Sequence, residues 1–364
     1  MEIGIVGLPN VGKSTLFNAL TEAGAGAENY PFCTVDPNVG VVNVPDWRLN
    51  ILVEMYKPDK KTPVTIKFVD IAGLVKGASK GEGLGNQFLG HIRNVDAIAH
   101  VVRCFTDSNI SHVEGDIDPV RDIDIIDTEL IMADLESLEN KREQTERMTK
   151  SGDRKYSECL QLLDNMISQL ERGKRIRNIN TNEETEKIIK ELQLLTAKPV
   201  IYIANISEED INKTNNKNLE KVSTFATEEE SEVVKISASI EADIAELEKE
   251  EAELFLEEME LGSSGLGRVI KACYNLLNLI TFFTVAGGNE VRATTVKIGS
   301  TAYEAAGKIH SDMQKGFIKA EVIGFDDLYK AGSIAKAREK GLVRLEGRDY
   351  EVQDGDICYF KFNV

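Results

Sequence analysis

Residues 7–14 read Gly-Leu-Pro-Asn-Val-Gly-Lys-Ser, with every fixed position of the pattern G-x-x-x-x-G-K-[ST] present. The apolar run Ile3-Gly4-Ile5-Val6 precedes it, and Thr15-Leu16-Phe17-Asn18-Ala19-Leu20 follows as the opening of a helix. Strand, glycine loop and helix form the context in which this pattern is a phosphate site. The glycines let backbone N–H groups wrap a phosphate chain, and the helix N-terminus adds a partial positive charge. Asn10, Val11, Gly12, Lys13, Ser14 and Thr15 are the expected cradle. Lys13 would reach the β- and γ-phosphates, and the Ser14 hydroxyl would ligate Mg²⁺. The chain is therefore read as binding a nucleoside triphosphate.

Working outward, four further apolar runs have the character of strands buried on both faces of a parallel sheet: 65–70, 97–105, 199–204 and 232–238. Helical patterns separate them, which predicts an α/β nucleotide-binding domain. The stretch from 105 to 199 is too long for an ordinary crossover. Its apolar positions recur at helical spacing: Ile131, Leu135, Leu138; Leu160, Leu163, Ile167, Leu170; Ile188, Leu192, Leu195. This predicts an inserted antiparallel helical hairpin or short coiled coil. A purely structural insertion and a partner-binding arm are both compatible with it. The glutamate-rich residues 241–260 read as one solvated helix face, and a further helix is expected over 266–280. From 282 short strands alternate with glycine turns, a separate small α+β domain. The expected division is 1–125 with 197–280 for the nucleotide domain, 126–196 for the helical insertion and 281–364 for the C-terminal domain.

The 364 residues, 42% hydrophobic and 29% charged, describe a soluble chain with more than one core. No apolar run is long enough to span a bilayer, and the N-terminus already reads as a strand rather than a leader. Five scattered cysteines without a Cys-x-x-Cys pair argue against a disulfide framework or zinc site and for a reducing cytoplasm. The net charge of −18 is uneven: residues 281–364 hold 12 basic and 12 acidic side chains, so the preceding residues carry the whole excess. An acidic chain can still bind RNA, but only through a local basic surface.

Later motifs sort this chain among the phosphate-loop proteins. The run 65–70 ends in Asp70-Ile71-Ala72-Gly73. Asp70 would hold Mg²⁺ through water, and Gly73 would give its N–H to the γ-phosphate. Thr34, within Tyr-Pro-Phe-Cys-Thr-Val-Asp-Pro, would add a hydroxyl to Mg²⁺ when triphosphate is bound. No arginine-rich lid is evident, which disfavours a small-molecule kinase. The phosphate loop, the threonine and Asp-x-Ala-Gly in this order resemble a TRAFAC-class GTPase of the Obg group. Together with Asn-Tyr-Pro-Phe-Cys-Thr, Asp-Ile-Ala-Gly-Leu-Val-Lys-Gly-Ala and Gly-Glu-Gly-Leu-Gly-Asn-Gln-Phe-Leu, they resemble the YchF subfamily along the whole chain. That resemblance implies a P-loop NTPase G domain with an inserted α-helical, coiled-coil-like domain and a C-terminal TGS domain of β-grasp fold. It also implies a ribosome-associated ATPase.

Two departures from an ordinary GTPase follow. A guanine-reading loop runs Asn-Lys-x-Asp, whereas here the strand leads into Asn205-Ile206-Ser207-Glu208. Lysine has become isoleucine and aspartate the longer glutamate, so guanine discrimination should be weak. This agrees with the ATP preference that the resemblance implies. Asn205 would order neighbouring loops or contact the base edge, and Ser237-Ala238 is a candidate second base loop. The second departure is Leu74, which stands where many switch GTPases carry a water-orienting glutamine. Intrinsic hydrolysis should then be slow. The resemblance supplies His112 as the group that positions water. Asn10 has a second candidate role, coordination of K⁺ beside the phosphates.

Lys336, Arg338, Lys340 and Arg344 form a basic cluster in the sequence that could contact ribosomal RNA phosphates. The expected partners are ATP and the ribosome, as large subunit or assembled particle, with no membrane or DNA partner, for a cytoplasmic monomer. A second function class is a ribosome- or RNA-binding scaffold that nucleotide stabilises and in which hydrolysis is minor.

Overall fold

A computed structural model describes residues 1–23, 38–71, 84–107, 115–149, 153–213, 215–286 and 289–363. They divide into two compact units. The first comprises Met1–Val42 and Lys67–Cys273, and the second Asn43–Ile66 and Tyr274–Val364.

The first unit is built on a sheet whose strands lie in the order Val39–Asn43, Thr65–Asp70, Glu2–Val6, Ala97–Arg103, Val200–Asn205 and Glu232–Ile236. The pairs Glu2–Val6 with its two neighbours, and Ala97–Arg103 through Glu232–Ile236, are parallel. Every residue of Ala97–Arg103 and of Val200–Asn205 is buried. These are the central strands of a doubly covered sheet, which explains their unbroken apolar character. In register, Ile5 lies beside Asp70, Val6 beside His100, and Arg103 beside Asn205. The chain therefore leaves several neighbouring strands at one edge, where open α/β sheets bind ligands. Two strands end earlier than their apolar runs. The strand from Ala97 stops at Arg103, and the one from Glu232 stops at Ile236, because Ser237 already begins the helix Ala238–Ala245.

The long gap holds helices Pro119–Thr149, Arg154–Glu171 and Glu183–Leu192. Leu138, Leu163, Leu170 and Ile188 close a core with Met166, Ile176 and Leu194. The first helix starts at Pro119, ahead of the expected boundary at 126, and runs for 31 residues. Its base is tied to the sheet by charge. Arg175 meets Asp127 at 2.7 Å and Glu229 at 2.7 Å, while Arg177 and the Tyr202 hydroxyl each reach Glu229 at 2.9 Å. Tyr202 lies on the strand that leads to Asn205, so the insertion is anchored directly to that strand.

The glutamate-rich stretch departs from the expectation of one solvated face. It forms two helices, Ala238–Ala245 and Lys249–Glu258, and Glu241 is completely buried. Its carboxylate accepts from Gly265 N at 2.6 Å and Leu266 N at 3.0 Å. It thus caps the helix Gly265–Leu276, whose first N–H groups lack intrahelical acceptors. Burial pushes the Glu241 carboxyl up from its usual range.

The second unit carries a sheet in the order Arg344–Glu346, Phe317–Gly324, Asp356–Phe362, Leu279–Ala286, Glu290–Lys297 and Lys60–Thr62. Leu279–Ala286 and Glu290–Lys297 form an antiparallel hairpin, and Asp356–Phe362 joins the former in parallel. The helix Ala302–Ile309 begins with a capping box between Thr301 and Glu304. It lays Ala302, Ala305 and Ala306 against a core containing Phe282, Phe317 and Phe360. This is the expected β-grasp arrangement. The expected nucleotide domain includes residues 43–66, yet they group with this unit. Lys60–Thr62 pairs with Glu290–Arg292, and Arg48 donates to Asp354 at 2.7 Å. Pairing across more than two hundred residues leaves no local pattern, so sequence reading assigned the segment to its neighbours.

Candidate nucleotide site

The loop after Glu2–Val6 turns sharply at two left-handed residues, Asn10 at φ 66° and Gly12 at φ 92°. A side chain on Gly12 would collide with the amide of Asn205, so glycine is required there on steric as well as conformational grounds. Gly7 has a related reason: a Cβ would stand 2.8 Å from the Val101 carbonyl. The chain then enters helix Lys13–Ala23, whose first turn carries no acidic residue. Its N-terminal partial charge is therefore unopposed by side chains of its own turn. The Lys13 ammonium forms an ion pair with the Asp70 carboxylate, bringing together two residues expected at the γ-phosphate and metal end of the site.

These elements open onto a cavity of about 1070 Å³. Asn10, Gly12, Lys13, Ser14 and Thr15 line one side, and Asn205, Ile206, Glu208 and Ala238 line another. Val11 and Ser237 stand behind these walls, both buried. The Val11 carbonyl accepts from Asn205 Nδ2 at 2.9 Å, and Ala238 N donates to Asn205 Oδ1 at 3.0 Å. One side chain thus ties the phosphate loop to the start of helix Ala238–Ala245. Ile206 is buried, and its N–H is spent on Ile236 O at 2.8 Å. Thr34, Gly73, Leu74 and His112 lie outside the described residues.

Sequence reading missed Phe105, Thr106, Asp107, Glu209 and Ser239, which also line the cavity. Their position just beyond strand ends was the available signal. The loop 105–107 is held by Arg103, which is fully buried. Its Nε donates to Phe105 O at 3.2 Å, and its guanidinium lies 4.6 Å from the centre of the Phe105 ring. Nearby Cys104 is buried and its thiol is pushed up to about 12, so it supplies no thiolate to the cleft.

Among the described residues no group of three His, Cys, Asp or Glu side chains converges as a metal cage. The donors at the loop are the Ser14 hydroxyl and the Asp70 carboxylate. Hard oxygens supplied by only one or two side chains suit Mg²⁺, which takes the rest of its shell from phosphates and water.

In the second unit the basic cluster is not one surface. Arg338 donates to Glu321 at 2.7 Å, whereas Arg344 reaches the Tyr350 hydroxyl at 3.0 Å and Asp356 at 3.7 Å. Arg344 opposes Val322 and Leu345 opposes Glu321, so these two guanidinium groups serve opposite faces of the sheet. Lys336 and Lys340 remain as exposed cations.

Residues 2–129 match a family described as 50S ribosome-binding GTPase. Residues 279–363 match the YchF-GTPase C-terminal family, described as a protein of unknown function (DUF933). The chain is 52% identical over 362 residues to a protein of Bacillus subtilis (strain 168) named Ribosome-binding ATPase YchF, covering 99% of both. It is 50% identical over 368 residues to a protein of the same name from Mycoplasma genitalium, covering 100% of both. The solved structure of the Schizosaccharomyces pombe YchF GTPase superimposes with a TM-score of 0.90 at 40% identity, covering 99% of this chain and 97% of that one. Among the described residues no helix is long and apolar enough to cross a membrane.

Proposed function

The chain belongs to the YchF family, and from that premise we propose that it is a P-loop ATPase that prefers ATP to GTP, hydrolyses it slowly and associates with ribosomes. The observation that carries this reading is the placement of Ile206 and Glu208 on the wall of the cavity that the phosphate loop opens onto. In that position isoleucine offers apolar area where a guanine reader offers lysine. The longer Glu208 side chain no longer matches the paired donors of guanine. The name that the bacterial relatives carry, Ribosome-binding ATPase YchF, supports both hydrolysis and the ribosome as partner.

The phosphate chain would lie against the backbone of Asn10–Thr15, with the Lys13 ammonium on its terminal oxygens. Ser14, Thr34 and Asp70 are the residues to hold Mg²⁺, which when bound supplies electrostatic stabilisation to the transferring phosphoryl group. Gly73 would donate its N–H to the γ-phosphate. His112 would orient the attacking water in place of the side chain missing at Leu74, and its replacement by alanine should cut turnover while sparing ATP binding. Asn10 would help hold K⁺, so turnover should be faster in K⁺ than in Na⁺. Ribosomal RNA is the proposed contact for the C-terminal cations, and a cytoplasmic monomer without DNA partner is the proposed working form.

Calorimetric titration with ATP and GTP in matched Mg²⁺ and K⁺ tests the central point. ATP bound about tenfold more tightly is the expected result. Tighter GTP would mean that Glu208 still reads guanine and would overturn it. The scaffold reading, favoured by Leu74, predicts ribosome co-sedimentation that ignores nucleotide; the switch reading predicts co-sedimentation that follows ATP.

A further inference from the structure

Trp47 is the only tryptophan of the chain, and it is 61% exposed at the first position of helix Trp47–Tyr56. Its ring and that of Phe325 meet nearly perpendicular, at a centroid distance of 5.1 Å. Phe325 is buried and stacks on Tyr329 at 6.0 Å, and Tyr329 is itself 57% exposed. Phe325 and Tyr329 stand one turn apart on helix Phe325–Ala331. One buried ring thus braces two exposed ones. Large aromatic side chains held rigidly in solvent forgo burial energy and mark contact surfaces.

The charge around the rings selects the partner. Asp326 and Asp327 are exposed beside Phe325, Asp46 precedes Trp47, and Asp354 lies across from Arg48. The helix Phe325–Ala331 carries Asp326 and Asp327 against Lys330, and Asp46 and Asp354 outnumber Arg48. Arg48 is already held by Asp46 at 2.8 Å and Asp354 at 2.7 Å. The excess is negative, which repels a nucleic-acid backbone and attracts ammonium and guanidinium groups. The faces of tryptophan and tyrosine are the best aromatic seats for such cations.

We propose that the Trp47–Phe325–Tyr329 platform docks an extended, lysine- and arginine-bearing segment of a partner protein. Its cations lie over the two exposed rings, and its charge is met by Asp326 and Asp327. Two separate rings on either side of Phe325 suit successive side chains of an extended strand better than one compact ligand. The surface belongs wholly to the second unit and is independent of the nucleotide reading.

The full-length protein carries its own reporter, because Trp47 is its sole tryptophan. Titration with a capped peptide of alternating lysine and proline should change Trp47 emission saturably and protect it from acrylamide. Both effects should weaken with salt. The Asp326→Asn, Asp327→Asn double variant and Tyr329→Ala should each raise the Kd about tenfold, while Tyr329→Phe binds as the parent does. Unchanged near-ultraviolet circular dichroism and an unchanged Trp47 emission maximum of the free protein in each variant separate lost docking from lost folding of the second unit. Three results would overturn the proposal: no protection by the basic peptide, equal protection by a serine–proline peptide, or protection by oligouridylate in its place. Unchanged affinity in the double variant would overturn it as well.

Discussion

Asn205 donates its side-chain Nδ2 to the backbone carbonyl of Val11 at 2.9 Å, so the end of one strand holds the middle of the phosphate loop. The same amide accepts from Ala238 N at 3.0 Å. Both partners are buried, and Asn205 is buried with them. Asn205→Ala leaves a carbonyl and an N–H without partners and should cost about 2 kcal/mol of stability, with nucleotide affinity falling about tenfold. Asn205→Asp retains the acceptor for Ala238 but sets oxygen against the Val11 carbonyl, so it should weaken nucleotide binding at least as much. Denaturant unfolding and calorimetry on both variants check this. An aspartate variant that binds like the parent would show that the Val11 bond does not shape the loop.

The ion pair of Lys13 and Asp70 joins the groups read as phosphate contact and metal ligand. Their roles should separate on substitution. Lys13→Ala should lose ATP affinity with or without Mg²⁺. Asp70→Asn should retain metal-free nucleotide binding and lose Mg²⁺-stimulated turnover by about a hundredfold. Turnover measured across a Mg²⁺ titration distinguishes them. An unaltered Mg²⁺ dependence in Asp70→Asn would remove that residue from the metal site.

Ile206 and Glu208 share the cavity wall, and the backbone of Ile206 is fixed by Ile236 O. Combining Ile206→Lys with Glu208→Asp recreates a guanine-reading loop without disturbing that bond. A lysine stem can cover the same apolar area while its ammonium emerges into the cavity. The ratio of ATP to GTP affinity should move toward GTP by about a hundredfold. Retention of the parent ratio would place base discrimination elsewhere in the cavity.

His100 is buried in the strand Ala97–Arg103, with Tyr202, Asp127 and Arg177 as its ring and charge neighbours. Burial pushes its imidazole down to about 4, with Asp127 opposing and Arg177 adding to the effect. In the unfolded chain it takes a proton near the usual 6.5, so acid favours unfolding between those values. The stability from keeping His100 neutral is whole above about pH 6.5 and is lost progressively toward about pH 4, up to about 3 kcal/mol. Denaturant midpoints for the parent and His100→Phe, measured near neutrality and near pH 5, should show the steeper loss in the parent. Equal slopes would mean that His100 is already charged in the folded protein.

Local chemistry determined much of this protein. The phosphate loop, the central apolar strands and the helical repeats of the insertion are short-range patterns, readable because backbone geometry and side-chain period act over a few residues. Asn10, Gly12, Lys13, Asn205, Ile206 and Ala238 were all nameable from such patterns. Other features depend on which distant segments meet, and no local period encodes that. The pairing of Lys60–Thr62 with Glu290–Arg292 draws residues 43–66 to the C-terminal sheet. Glu241 reads as one more solvated glutamate until the bare N-terminus of Gly265–Leu276 arrives to be capped. Arg338 and Arg344 lie six residues apart but serve opposite faces of a sheet, because Arg338 reaches Glu321 from a packed helix whereas strand pairing puts Arg344 on the other face, beside Val322.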